Sequence, residues 1–414
     1  MLRFPQAHQP RYNNFSIRAI SDETIREGGE RAPFGASNPD KLELVMKITN
    51  SGVKDIDVGS GIQEPVFVDQ LLRAQDAGKI PADVTFSFNL TLKTWEPLCR
   101  ALKETLSREQ LRRLYVSIGM IEIDSERHLF EQVAERVRSL GVGTLRSSLL
   151  NAFSNTIEED KYAHLMSQIE RCRQQGISLI RINDSIGTLY PDATAVLAAN
   201  LVADNPDTNF YLHGHNDRGI GTANSLVSVF HGFQMIEGGV AGVGNRAGLA
   251  ELESIAAVFA DNNITVDSGP LDIDGLTDAA RWSERTYLTT PTPFRPVSGF
   301  LVLNENAGIV NVPDYLGVSR EVEYFINEIG LFPSYIRQIL IDNGVPAERI
   351  TEELVKSVYS TLSSRMQELY EDRQRLFVQL HEQILDFYNP IVRLPDVGKL
   401  GMELLSAAPA TMRG

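Results

Sequence analysis

From Phe15 onward the chain alternates between two rhythms of apolar and polar positions. Short apolar runs with strand character are predicted at Phe15–Ile20, Val53–Val58, Val84–Asn89, Leu114–Ile121, Gly143–Ser147, Ile177–Ile182, Phe210–Leu212 and Met235–Val240. Between and after them lie stretches of helical periodicity: Lys41–Asn50, Pro65–Ala77, Thr94–Thr105, Glu126–Leu140, Glu158–Gln175, Pro191–Ala203, Thr222–His231 and Ala250–Ala260. Gly176 stops the fifth helix and Pro191 suits the first turn of the sixth. Strands alternating with helices imply parallel pairing through right-handed crossovers, and eight such units in about 250 residues match a (β/α)8 TIM barrel. A doubly wound open sheet is the alternative. The units share spacing but no sequence motif, which argues against a repeat protein.

The rhythm divides the chain. Residues 1–14 are polar and read as an N-terminal arm, and residues 15–265 as the barrel domain. Residues 266–318, rich at first in Asp, Thr and Pro, read as a linker or lid segment. Residues 319–414 read as a helical C-terminal region, with helices expected at Ser319–Leu331, Ser334–Asn343 and Ile350–Asn389. That region has too little core of its own and is expected to pack on a barrel, its own or a partner's.

Composition narrows the function. The 414 residues are 43% hydrophobic and 22% charged, ordinary for a chain with a large core. A formal net charge of −15 argues against nucleic acid as a partner, because phosphate backbones are met by basic patches. Cys99 and Cys172 form no CxxC pair and read as reduced thiols. Residues 1–14 hold no apolar signal-peptide core, and no run approaches about 18 apolar residues, so no membrane span is expected and a cytoplasmic location follows.

The chemistry is concentrated at the predicted strand ends, where a barrel carries its site. After the seventh strand comes His213-Gly214-His215-Asn216-Asp217. Period 2 sends both imidazoles to one face, where they can take adjacent positions around a divalent metal; spacing alone leaves a coincidental pair equally open. After the first strand comes Asp22-Glu23-Thr24-Ile25-Arg26-Glu27-Gly28. Glu27 with the two histidines would make a two-His, one-carboxylate set with open positions for substrate, and Arg26 would stand beside it. Other polar residues at strand ends are Asp57, Asn89, Glu126, Ser147, Ser185 and Asn245. For Asp57, Asn89 and Glu126, hydrogen bonding behind the site is as good a reading as direct action. His128, His164, His231 and His381 read as structural or surface residues.

These motifs together resemble the metal-dependent DRE-TIM metallolyase superfamily, which includes isopropylmalate synthase, homocitrate synthase, citramalate synthase and HMG-CoA lyase. Asp22 to Gly28 is similar to its D-T-T-L-R-D-G, with Glu27 for the metal-binding Asp, an apparent insertion at Gly29 or its neighbour and Arg31 where the family has Gln. Ile56-Asp57-Val58-Gly59 resembles I-E-V-G, Ser125 to His128 resembles S-D-x-H, and Asp184 to Gly187 resembles D-T-x-G. His213 to Asn224 follows H-x-H-N-D-x-G-x-A-x-A-N nearly intact, and Gly242 to Leu249 is similar to G-x-G-E-R-A-G-N. The resemblance spans residues 16–260 in matching order.

It implies a Claisen-type condensation of acetyl-CoA or another acyl-CoA with a 2-oxo acid, on a divalent metal (Mg, Mn, Zn or Co). By resemblance Glu27, His213 and His215 hold the metal, with Asn245 as a further candidate because Leu249 occupies the family's Asn position. Arg26 would stabilise the developing oxyanion and bind substrate. Ser185, Asn89 and Ser147 would help position the 2-oxo acid. Asp57 and Glu126 would serve as acid/base or orienting groups. Downstream, Pro296 to Val310 resembles the synthases' P-I-V-G-x-x-A-F-x-H-x-S-G-I-H segment in spacing, but its two His positions are Glu305 and Val310, leaving Glu305 as the candidate base. Loss of those histidines keeps a carbon–carbon lyase or aldolase of HMG-CoA lyase type as the alternative, and a non-catalytic metabolite-binding relative as a third. The altered motifs suggest a specialised acceptor, and Ser147, Ser148 and Asn89 suggest a polar one. A homodimer through the C-terminal helices is expected by resemblance.

Overall fold

The computed structural model describes residues 9–119, 128–306 and 323–407. It divides into two compact units, Met1–Pro291 and Thr292–Gly414.

The first unit is the barrel. Its strands are β2 (Ala19–Asp22), β3 (Asp55–Gly59), β4 (Thr85–Leu90), β5 (Leu114–Gly119), β6 (Thr144–Leu150), β7 (Leu179–Asp184), β8 (Asn209–Gly214) and β9 (Met235–Gly238). They form one eight-stranded parallel sheet in the order β8-β7-β6-β5-β4-β3-β2-β9. Ala19 pairs with Met235 and Asp22 with Gly238, which brings the last strand back beside the first. β8 and β9 lie side by side, so the ring is nearly closed.

The run expected as one first strand, Phe15–Ile20, is two. β1 (Phe15–Ile17) pairs in parallel with β10 (Ile264–Val266) outside the barrel. The amide of Arg18 then bonds to Gln234 O, and β2 enters the barrel wall. Phe15 and Ile17 are buried on one side of their strand while Ser16 is exposed, so the alternation is real but serves another sheet.

Within barrel strands the two faces differ in kind. In β4, Phe86 and Phe88 join the apolar core between sheet and helices, while Ser87 and Asn89 alternate with them. In β7, Ile180 and Ile182 do the same, and Arg181 and Asn183 take the opposite face. The apolar face builds one core with the surrounding helices; the polar face fills the barrel with hydrogen-bonding groups.

The expected linker needs correction at its start. β10 and the helix Ile273–Thr286 belong to the first unit. Leu276, Ala279 and Ala280 recur at helical spacing and are buried, with the helix against Asn38–Asn50. The Asp- and Thr-rich composition that suggested a linker is the helix's exposed face and its flanks. The unit boundary therefore falls after Pro291 and not at residue 265.

The second unit holds a short parallel pair, β11 (Asn304–Asn306) with β12 (Glu323–Phe325), then helices Pro333–Asp342, Glu352–Tyr388 and Leu394–Ala407. Residues 323–325 are thus extended where helix was expected, while the two following helices fall where their periodicity places them. Thr351 caps the long helix by accepting from Leu354 N at 3.1 Å. Leu331, Ile336, Ile350 and Val355 form this unit's own small core.

Candidate metal centre and active site

The site begins at the end of β2. Asp22 accepts from the amide and hydroxyl of Thr24, at 3.1 and 2.6 Å, and Thr24 Oγ1 accepts from Val240 N at 2.9 Å. These bonds fix the start of the helix Thr24–Arg31 against the loop after β9. That helix carries Arg26 and Glu27 to the mouth of the barrel.

His213 lies in β8 and His215 just beyond it. Their Nε2 atoms are 3.2 Å apart. Glu27 Oε1 lies 3.5 Å from His213 Nε2 and 4.0 Å from His215 Nε2. All three residues are buried. His213 Nδ1 is 2.5 Å from Glu237 Oε1 on β9, so the far nitrogen is anchored and Nε2 faces its two neighbours. His215 Nδ1 has no hydrogen-bond partner among the described residues. Two imidazole nitrogens and one carboxylate oxygen converging at these separations fit neighbouring ligands of a single divalent ion, with bonds of about 2.0–2.2 Å. A second trio, Glu23, His213 and Glu237, also lies close together. Hydrogen bonds and ion pairs account for it, since Glu237 engages Nδ1 and Glu23 engages two guanidinium groups.

Electrostatics separate the two histidines. Burial opposes charge on His213, but the Glu237 carboxylate outweighs it and raises the pKa to about 9. Burial and the charge on His213 lower His215 to about 4. Burial also opposes ionisation of Glu27, yet the hydrogen bond from His213 and the Arg26 charge hold it well below the usual carboxylate range.

Behind these ligands runs a buried charge network. Arg26 Nη1 donates to Glu23 Oε2 and Glu27 Oε1, both at 2.6 Å. Arg181 Nη1 donates to Glu23 Oε1 at 2.6 Å and Glu237 Oε1 at 3.2 Å. The same guanidinium reaches Asn89 Oδ1 at 2.8 Å and Ser148 Oγ at 2.9 Å. Burial would raise Glu23, but Arg26 and Arg181 on either side lower it to about 2. Burial and the Glu23 charge push Asp57 well above its usual range. Elsewhere inside the unit, Arg146 pairs with Asp55 and lies over the Tyr115 ring, 4.6 Å from its centroid.

The cavity over the ligands has a volume of about 240 Å³ and is walled by residues from the ends of many strands. Of the sequence-predicted residues, Arg26, Glu27, Asn89, Ser185, His213, His215 and Asn245 line it. Asn245 contributes its backbone amide to Glu27 Oε2 at 2.9 Å, and its side-chain oxygen accepts from Arg246 N at 2.9 Å. Leu249 is buried and forms a backbone bridge with His215.

Two expectations need adjustment. Ser147 does not line the cavity; its Oγ reaches Ile118 O at 3.4 Å and it lies against Cys172, on the helix side of β6. Ser148, one residue on, faces the cavity instead, because strand side chains alternate. Asp57 is buried behind the wall, bonded by Asn89 Nδ2 and by Gly59 N, and not at the mouth. Glu126 lies outside the described residues, as does the side chain of Glu305; the backbone of Glu305 is in β11 of the second unit.

Sequence reasoning gave no role to Glu23, Arg181, Glu237, Asn183 and Arg246, and took Ser148 only as a sign of a polar substrate. A signal existed for three of them: Arg181, Asn183 and Glu237 are polar residues set among apolar neighbours in barrel strands.

Residues 18–281 match the HMGL-like family, which is more than half of the chain. The chain belongs to the HMGL-like family. Among its relatives is a homocitrate synthase of Sulfolobus acidocaldarius, 23% identical over 296 residues that cover 70% of this chain and 61% of the relative. Another is a 2-isopropylmalate synthase of Buchnera aphidicola, 25% identical, covering 57% of this chain and 46% of the relative. The HMGL-like chain thus spans about half to two thirds of the length of these curated relatives. A solved HMG-CoA lyase from Acinetobacter baumannii, in complex with coenzyme A and 3-methylmalate, superposes with a TM-score of 0.52 at 18% identity. That alignment covers 72% of this chain and 98% of the lyase, and it shows the shared barrel fold.

Proposed function

We propose that this chain is a divalent-metal-dependent enzyme that condenses an acyl-CoA, acetyl-CoA in the first instance, with a 2-oxo acid. The observation that carries the reading is the convergence of Glu27, His213 and His215 beside the Arg26 guanidinium at the mouth of the barrel. The synthase names of the relatives support this direction of reaction.

A bound Mg²⁺, Mn²⁺, Zn²⁺ or Co²⁺ would supply Lewis-acid polarisation of the acceptor ketone. Glu27, His213 and His215 would hold it, and Glu237 would keep the His213 ring turned. Arg26 stands next to Glu27 and would stabilise negative charge growing on the former ketone oxygen. Ser185 and Asn89, on the cavity wall, would orient the 2-oxo acid. The acyl methyl carbon bonds to the ketone carbon after losing a proton, and thioester hydrolysis then frees the CoA thiol. By the motif resemblance, in which Glu305 stands where the synthase segment has a His, Glu305 is the candidate for the proton transfer.

Other parts of the reading follow from weaker signals. The long helix Glu352–Tyr388 leaves Leu369, Leu376, Leu380 and Phe387 exposed, which supports a second copy of this chain as the partner. No described helix is long and apolar enough to cross a membrane.

Purified protein with Mn²⁺ is expected to release CoA thiol from acetyl-CoA when a suitable 2-oxo acid is added, and His213→Ala is expected to abolish both release and metal binding. No thiol across a broad 2-oxo-acid panel, with cleavage of a hydroxyacyl-CoA instead, would overturn the synthase reading in favour of a lyase.

A further inference from the structure

The cavity walls away from the metal ligands identify the acceptor more narrowly, on the reading that a 2-oxo acid binds there. Asn89, Ser148 and Asn183 come from the ends of β4, β6 and β7, with Gly119 of β5 between them; Ser60 and Thr91 add further hydroxyls. Leu90 is the one aliphatic side chain among the described lining residues. A branched alkyl tail placed here would leave unmet the hydrogen-bonding capacity that these groups keep beyond their bonds to the protein, at about 1–3 kcal/mol for each group left without a partner.

A second carboxylate fits no better. Each cation among the described lining residues already has acidic partners. Arg26 meets Glu23, Glu27 and Glu30. Arg181 meets Glu23 and Glu237. Arg246 is held by Asp217 at 2.8 Å and by the backbone oxygen of Ser185. An anionic tail would therefore enter a wall whose guanidinium charges are neutralised, near Glu27 and Glu30.

Hydrogen-bonding capacity does remain. Ser148 Oγ accepts from Arg181 Nε at 2.9 Å and Asn183 Nδ2 at 2.6 Å, which directs its own proton elsewhere. Asn183 Nδ2 also reaches Leu149 O at 3.2 Å, so the amide nitrogen is engaged while the amide oxygen stays available. The two residues thus offer a donor and an acceptor side by side. Gly119 keeps the space beside them clear, since a Cβ there would lie 3.0 Å from Ser148 Cβ and 3.4 Å from its Oγ.

We propose that the acceptor is a short 2-oxo acid with a neutral hydrogen-bonding tail, a hydroxyl or carboxamide, rather than a branched alkyl group or a second carboxylate. Ser148 and Asn183 are the residues that select it.

Calorimetric titration of the Mn²⁺-loaded full chain tests this without requiring turnover. The ligands are 4-hydroxy-2-oxobutanoate, 2-oxosuccinamate, 3-methyl-2-oxobutanoate and 2-oxoglutarate, with CoA-thiol release measured in parallel. One of the two neutral polar acids is expected to bind about tenfold or more tighter than both of the others. Ser148→Ala is expected to cut that preference about fivefold or more while Mn²⁺ affinity stays unchanged. Equal or tighter binding of the branched or the dicarboxylic acid would overturn the proposal, and thiol release with that acid would leave the condensation reading standing. Selective binding of a polar acid with no thiol release from any of the four would support the proposal and overturn the condensation reading. No binding of any of them to the loaded protein would overturn both.

Discussion

Glu237 is not expected to touch a metal, yet it decides which nitrogen His213 presents to one. Its carboxylate sits 2.5 Å from Nδ1 and leaves Nε2 for Glu27 and His215. Removing such an orienting carboxylate typically costs 10–100-fold in metal affinity. Glu237→Gln is therefore expected to weaken Mn²⁺ binding by about that factor in a calorimetric titration, whereas His213→Ala removes it. Unchanged affinity in Glu237→Gln would refute the orienting role. A different measurement suits Asp22. Burial raises its pKa to about 7, against bonds from Thr24 that would lower it. The native state therefore holds a proton that the unfolded chain releases near the ordinary Asp value of about 4. Stability from this group is fully present below about pH 4 and is lost as pH rises through about 7. Asp22→Asn stays neutral and keeps an oxygen for Thr24, so its melting temperature is expected to fall less between pH 5 and pH 8 than that of the unaltered chain. An identical fall in both would remove Asp22 as the source. Single residues were legible where they stood in a spaced motif, as with Arg26, Glu27, His213 and His215. Glu23 and Arg181 were not, because they are 158 positions apart and meet only when β2 and β7 curve round one barrel. Ser147 and Ser148 both read as signs of a polar substrate, and the sequence could not say which of them faces the cavity, because composition does not fix the register of a short strand and a step of one residue reverses its face.

At the level of elements, the barrel rhythm was readable because each strand and each helix has its own period. What escaped was the context around it. Phe15–Ile17 has strand alternation but pairs with β10, a partner about 250 residues away. The helix Ile273–Thr286 was hidden by a composition typical of linkers. That helix turns out to support the site. Tyr287, at its C-terminal end, lies over Gly28, and a Cβ on Gly28 would fall 2.4 Å from the ring. Gly28 follows Glu27 directly, so the close approach of the ring fixes the height at which the carboxylate meets the histidines. Gly28→Ala must push the ring or the helix Thr24–Arg31 away. The expected cost is about 1–3 kcal/mol in urea unfolding, together with weaker Mn²⁺ binding. A variant as stable as the parent and with the same metal affinity would show that Tyr287 can move freely, and would remove this helix from the account of the site.

At the scale of the whole molecule, the long C-terminal helix carries exposed apolar side chains that a partner would cover. The helix Glu352–Tyr388 has 37 residues, about 55 Å at 1.5 Å per residue. Its first three turns or so meet the small core of Leu331, Ile336 and Ile350, through Val355, Val358 and Leu362. Further along, Leu369, Leu376 and Leu380 follow at spacings of seven and four, and all are exposed, as is Phe387. A stripe with this spacing is the seam of a helix that packs lengthwise on another helix. Half exposed as they are, these four side chains forgo on the order of 1 kcal/mol each. The same stripe on a second copy offers a self-complementary surface, the arrangement a two-fold dimer requires. Sedimentation velocity at about 10 μM is expected to show a dimer for the unaltered chain and a monomer for the double variant Leu369→Glu, Leu376→Glu. Mn²⁺ affinity is expected to be the same in both, because Glu27, His213 and His215 all belong to the barrel unit. A monomeric parent, or a double variant that remains dimeric, would rule out this stripe as the contact between copies. A monomeric variant that binds the metal but no longer releases CoA thiol would mean that acyl-CoA turnover, unlike metal binding, depends on the second copy.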